Sequence, residues 1–274
     1  MAAAVEKYQC TLSEELQEKA LRELNEKAEW RERDIQALRE MVLAHKGLKC
    51  PTDDRYLLRF LRAKKFDYDR AYQQLINFYE IRARNMDVMC DMVPSKVMAC
   101  LNAGVSAILP HRDKQGRKIL YFRPGRWNPS EFSIYQILKV NLMSFELVIQ
   151  DEETQVNGVI ALGNFDGITW THAKSLERRY FKLASNTLQE SFPLRFKGLS
   201  AINEPSLFDY IFSMVKPFLN EKTRSRQWKE TLLSKEDFFN DLQQYNIEID
   251  HQISSVKSDE IDCLPGTYRK LNID

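Results

Sequence analysis

The chain has 274 residues, 43% of them hydrophobic, enough to bury a substantial core as one large domain or two unequal ones. Its 40 Lys and Arg balance 39 Asp and Glu, a formal charge of +1, so bulk charge excludes a polyanion binder such as a nucleic-acid protein and any basic site must be local. Five scattered cysteines (Cys10, Cys50, Cys90, Cys100, Cys263) contain no CxxC pair and read as reduced thiols of a cytosolic protein.

In chain order, the N-terminus turns acidic too early for a signal peptide, and Ala2 stands where myristoylation needs glycine. No run reaches the ~20 apolar residues of a membrane span, so membrane contact is expected to be peripheral. Residues 11–46 predict charged helix. Thr11 with Glu14 reads as a capping box, and Ile35, Leu38, Met41 and Val42 form a one-sided apolar stripe. The charges there read as solvated faces. After Cys50-Pro51, residues 53–85 predict a helix pair. Tyr56, Leu57, Phe60 and Leu61 make its first apolar stripe, Arg55, Arg59, Arg62, Lys64 and Lys65 a basic one, and Asp67 caps the second helix. A helical domain is therefore expected over residues 1–92.

The character changes from about Pro94. Gly104–His111 and Lys118–Arg123 predict two strands around the turn at 112–116. Ser130–Glu152 predicts a long helix apolar almost all round, which must be buried or line a cavity. Within it, Glu146 needs a cationic or hydrogen-bond partner. Val159–Phe165 is a buried-type strand after the turn Asn157-Gly158, and residues 171–190 predict a helix cut by Phe192-Pro193. Leu194–Ile202 predicts a strand with Arg195 and Lys197 on one face and Leu194 and Phe196 on the other. After Asn203-Glu204-Pro205 comes a helix with apolar residues on two sides, Leu207, Phe208, Ile211, Phe212 and Val215 against Tyr210 and Met214, followed by Lys216, Lys222, Arg224, Arg226 and Lys229. Such a helix fits a cover over an apolar cavity that also touches a membrane. The alternation of strands and helices predicts an α/β fold with a mixed sheet over residues 93–230, and residues 231–274 form a C-terminal tail.

No catalytic chemistry emerges. The phosphate-loop, dinucleotide, HExxH and GxSxG patterns are missing from the sequence, and the four histidines are dispersed, with His111 and His172 placed for capping or surface roles. Glu152-Glu153 reads as a source of turn hydrogen bonds or ion pairs. The expectation is a non-enzyme with no metal and no cofactor. What remains is apolar and basic, with cations gathered at 59–65, at 195–197 and at 222–226. Each cluster taken alone also fits a solvated face, whereas a compact set of donors suits a phosphorylated lipid head group.

The segments DDRYLLRFLRAKKFDYDRA, EETQVNG, FDG, ESFPLRFKG, INEP and VKPFLNEKTRSR resemble the CRAL-TRIO (Sec14-like) lipid-binding family over about residues 11–226. The tocopherol-transfer and retinaldehyde-binding branch fits best, and TLSEELQEKALRELNEKAEWRERDIQALREMV is most similar to its alpha-tocopherol transfer protein-like subgroup. The resemblance implies a helical N-terminal lobe and a sheet-floored apolar pocket closed by a mobile lid, here residues 204–216. It implies a pocket lined by Leu138, Asn141, Leu142, Phe145, Val159, Ala161, Gly163, Phe165, Leu188, Phe192, Leu194, Phe196, Ile211, Met214 and Val215. It also implies a phosphoinositide-binding cleft formed by Lys64, Arg195, Lys197, Lys222 and Arg226. The sequence departs from the tocopherol-transfer pattern at Asn141 and Phe145, where small hydroxyl residues are usual, at Gly163, and throughout the tail after Arg226. The function implied is a monomeric cytoplasmic carrier of one apolar lipid cargo, tocopherol- or retinoid-like, that associates peripherally with endosomal or other intracellular membranes. The alternative is a phosphoinositide-binding trafficking adaptor with a vestigial pocket.

Overall fold

A computed structural model of the chain describes residues 8–215, Pro217 and residues 269–272. Four helices open it: α1 (Glu14–Leu24), α2 (Arg31–Ala44), α3 (Asp54–Ala63) and α4 (Tyr68–Arg84). Asp53 and Asp67 cap α3 and α4 as expected, each accepting a backbone N–H three residues on. The α1 cap is not Thr11 but Ser13, whose hydroxyl accepts from the Leu16 N–H. Leu12 is drawn into an apolar cluster with Ala20, Leu24 and Val156, so the helix starts one residue after it turns inward.

Short helices α5 (Met86–Met89) and α6 (Met98–Ala103) lead to the hairpin β1 (Ser106–Arg112) and β2 (Lys118–Phe122). Next come α7 (Ile134–Val148) and α8 (Glu152–Asn157); the sequence predicts one helix over Ser130–Glu152, so α7 is shorter at both ends and α8 is a second helix it does not predict. Asp151 makes the break: its carboxylate accepts from the Glu153 N–H at 3.1 Å, pairs with Arg112, and restarts the helix in a new direction. Strand β3 (Val159–Asn164), α9 (Trp170–Lys174), α10 (Arg178–Asn186) and a π-helical turn at Thr187–Ser191 follow. The helix predicted over 171–190 is thus three pieces, and His172 serves as a cap within it. Its Nδ1 accepts from the Thr169 N–H at 3.0 Å, and its Nε2 lies 2.7 Å from the Trp127 carbonyl, which fits the neutral tautomer. Strand β4 (Phe196–Ile202), α11 (Phe208–Val215) and β5 (Arg269–Asn272) complete the described chain.

The sheet order is β1-β2-β3-β4-β5, antiparallel at both edges and parallel at β2-β3 and β3-β4. The expected mixed α/β sheet is therefore present, with crossovers through α7-α8 and α9-α10. Lys197 is an extra residue in β4: Val159 faces Phe196 while Ile160 faces Gly198, so the predicted alternation breaks there. One core joins the halves. Leu38, Leu57, Phe60, Leu75 and Phe78 of the helical lobe pack with Leu120, Leu142, Phe145, Val159, Phe192 and Leu194. Phe192 sits 5.6 Å from the rings of both Phe78 and Phe145.

Candidate lipid and head-group sites

The basic stripe of α3 divides. Arg62 is fully buried; its Nε and Nη2 each donate at 2.8 Å to the Glu26 carboxylate, which also accepts from Arg31 Nε at 2.7 Å. Gln155, Tyr8 and Glu152 complete its surroundings at 2.8, 3.1 and 3.5 Å. Arg59, also buried, donates to Glu146 at 2.9 Å and lies 3.9 Å over the Tyr56 ring. Arg82 reaches the other Glu146 oxygen at 3.3 Å. The expected structural pairing of Glu146 is found, and Glu152 and Glu153 make ion pairs with Arg62 and Arg112. The expectation that the charges of residues 11–46 and 53–85 are solvated fails at Glu26, Arg31, Asp34, Arg59 and Arg62, all buried. Arg59, Arg62, Glu146 and Glu152 line a cleft of about 520 Å³ between the helical lobe and α7-α8.

Of the expected head-group cations, Arg195 and Lys197 come together. Arg195 donates to the Val156 carbonyl, and both it and Lys197 approach the Glu23 carboxylate of α1, at 3.3 and 3.9 Å. Gly158 makes this approach possible. It stands at φ +80 after α8, and a Cβ there would strike the Arg195 carbonyl and come within 2.9 Å of the Lys197 side chain. Lys64 caps the end of α3, half-buried, where burial first and neighbouring Arg70 second depress its ammonium pKa, opposed by Glu190 and Asp67. Lys222 and Arg226 lie outside the described residues.

The residues expected in the pocket fall into two apolar groups. Leu138, Leu142, Phe145, Val159, Phe192 and Leu194 are buried in the main core, with Leu188 and Phe196 at its edge. Ala161 is buried on β3, and the Phe165 ring stands over Gly163, where a Cβ would lie 2.6 Å from it. Phe165 in turn meets Phe208 of α11 edge to face at 4.7 Å. Ile211 and Met214 belong to a separate cluster in which α11 covers Ala173, Ile168 and Leu176. The Val215 side chain lies outside the described residues. Asn141 differs from the rest: its side-chain carbonyl oxygen is buried with no hydrogen-bond partner among the described residues, a state that costs about 1–3 kcal/mol.

Sequence reasoning passed over Glu23, indistinguishable by pattern from the other acids of α1, and Trp170. Trp170 is 55% exposed and stacks at 5.2 Å on Tyr210 of α11, itself 51% exposed. A tryptophan shortly after the strand Val159–Phe165 was the available signal.

The CRAL/TRIO domain pattern matches residues 102–245, and the CRAL/TRIO N-terminal domain pattern matches residues 12–77. The chain belongs to the CRAL/TRIO family. It is 43% identical over 220 residues to the mouse protein "Alpha-tocopherol transfer protein-like" and 42% identical to its human counterpart, a stretch covering 80% of this chain and 64% of each relative. The chain thus spans less than two thirds of the length of these relatives. It is 36% identical over 221 residues to human "Clavesin-2", covering 80% of this chain and 68% of that one. The resemblance to this branch of the CRAL/TRIO family, drawn above from the sequence, holds. No helix among the described residues is long and apolar enough to cross a membrane.

Proposed function

We propose that this CRAL/TRIO chain binds one apolar lipid and exchanges it at phosphoinositide-bearing membranes. The observation that carries the reading is the two-faced helix α11. Its inner side covers Ala173 with Leu207 and Ile211, while its outer side presents Tyr210 stacked on Trp170. An exposed aromatic pair shared by two short helices, α9 and α11, suits the bilayer interface, where ring bodies enter the apolar layer and polar tips stay wet. Relatives named "Alpha-tocopherol transfer protein-like" support the cargo half. In this mechanism α11 is the lid over the space bounded by α7, β3 and β4, lined by the pocket residues named from the sequence, with Asn141 facing the polar end of the cargo. Lys64, Arg195 and Lys197, with Lys222 and Arg226, hold the head group, and contact with the bilayer shifts α11 toward its open position. The cargo is held by burial rather than by covalent chemistry, so no catalytic group is required.

The packing of Phe145, Phe192, Phe196 and Leu142 against one another favours a second reading, a phosphoinositide-binding adaptor whose pocket has closed. Native mass spectrometry of the purified chain, followed by lipid extraction, separates the two. A stoichiometric mass adduct of apolar lipid is expected. A chain that stays without adduct after incubation with tocopherol, retinoid and isoprenoid lipids would sink the carrier reading in favour of the adaptor.

A further inference from the structure

The cations Arg195 and Lys197 are already partnered by an acid from another element. Glu23 of α1 places one carboxylate oxygen 3.3 Å from Arg195 Nη2 and 3.9 Å from Lys197 Nζ. Its side chain is 33% exposed against 9% and 16% for the two cations, so the acid is the member of the trio most open to exchange with solvent. Helix α1 packs outside the main core: its buried Ala20 and Leu24 join Leu12 and Val156 in a small separate cluster, and Lys19 donates to Asn157 at 2.7 Å. It ends at Asn25, in the left-handed conformation at φ 61, immediately before Glu26, which Arg62 and Arg31 lock into the core. A helix packed outside the main core therefore runs into a fixed point with its acid across the two cations.

We propose that α1 is an autoinhibitory strap: Glu23 occupies the anion position of Arg195 and Lys197, and a phosphorylated lipid head group binds by displacing it. The inference rests on the head-group reading given above. A phosphomonoester carries more charge and more acceptor oxygens than one carboxylate, which favours the exchange, while tethering of Glu23 gives it a high local concentration and opposes it. Closed strap lowers the apparent head-group affinity, and by linkage head-group binding loosens α1.

The test is flotation of the full chain with phosphatidylcholine vesicles that contain or lack phosphatidylinositol bisphosphate, joined to hydrogen exchange of the α1 amides. Glu23→Gln is expected to tighten binding to the bisphosphate vesicles about two- to fivefold, the scale of one partly exposed ion pair. Glu18→Gln, which removes the same charge from an exposed position of the same helix, is expected to leave binding unchanged. In the unsubstituted chain, residues 14–24 should exchange faster when the vesicles are bound. Lys197→Gln separates the layers of the argument. If it leaves vesicle binding intact, the head-group site fails and the strap with it. If it weakens binding while Glu23→Gln behaves as Glu18→Gln does, or the α1 amides keep their protection on vesicles, the site stands and the strap is overturned.

Discussion

Replacing Glu26 by glutamine removes the one carboxylate that holds two buried guanidinium groups. Its oxygens accept from Arg31 Nε at 2.7 Å and from Arg62 Nε and Nη2 at 2.8 Å each, and both oxygens are used. Either orientation of the amide therefore turns an N–H donor toward an N–H donor. Breaking a buried pair on one side costs about 3–5 kcal/mol. Arg62 keeps the Glu152 carboxylate at 3.5 Å, Gln155 at 2.8 Å and Tyr8 at 3.1 Å, which places the cost near about 3 kcal/mol. For a chain of this size that lowers Tm by roughly 6–12 °C, measured by calorimetry at neutral pH. Burial alone would raise the Glu26 carboxyl pKa, but the hydrogen bonds and charges of Arg62 and Arg31 outweigh it and hold it below its ordinary value of 4.5. A carboxylate depressed in the folded state stabilises above its unfolded pKa, and that contribution is lost as pH falls through the folded value. The gap between the variant and the original should therefore be wide at neutral pH and narrow below pH 4.5. A Tm within about 2 °C of the original at pH 7, or a gap that does not change with acid, would refute the assignment of Glu26 as the anchor of the helical lobe.

Three further outcomes are expected. Gly158→Ala forces a side chain into a backbone conformation almost reserved for glycine and against the Arg195 carbonyl, so urea denaturation should show a loss of about 2–4 kcal/mol; an unchanged midpoint would contradict the packing of β4 on the α8 turn. Trp170→Ala with Tyr210→Ala should reduce vesicle binding about tenfold with little change in Tm, because both rings are more than half exposed, and equal flotation of variant and original would remove the aromatic pair from the docking surface. Asn141→Leu should stabilise the lipid-free chain by about 1 kcal/mol by deleting an orphaned buried acceptor, while weakening retention of a hydroxyl-bearing lipid; a destabilised variant would mean that the carbonyl has a partner.

What the sequence determined by itself was whatever depends on near neighbours along the chain. Alternation and turn residues located β1 to β4, the Asp caps located α3 and α4, and the break at Asn203-Glu204-Pro205 with the apolar run after it located α11. The same patterns marked Glu146 as an acid that needs a cationic or hydrogen-bond partner, since an apolar helix face leaves it no solvent. Which partner was settled only in three dimensions: Arg59 lies 87 residues away, and Glu26 finds Arg62 across 36. A charged residue on a helix has the same local signature whether it faces water or a partner, so the α3 stripe read as one surface when it is two buried anchors beside a half-buried lysine. The second helix from Glu152 and the gap between Lys174 and Arg178 were equally hidden, because local periodicity does not register where a distant ion pair such as Arg112–Asp151, or the packing of the chain, redirects the backbone. For the proposed sites, the sequence supplied Arg195 and Lys197 by spacing and resemblance; only the tertiary structure set Glu23 against them, because ion-pair partners are chosen by proximity after packing and not by order along the chain.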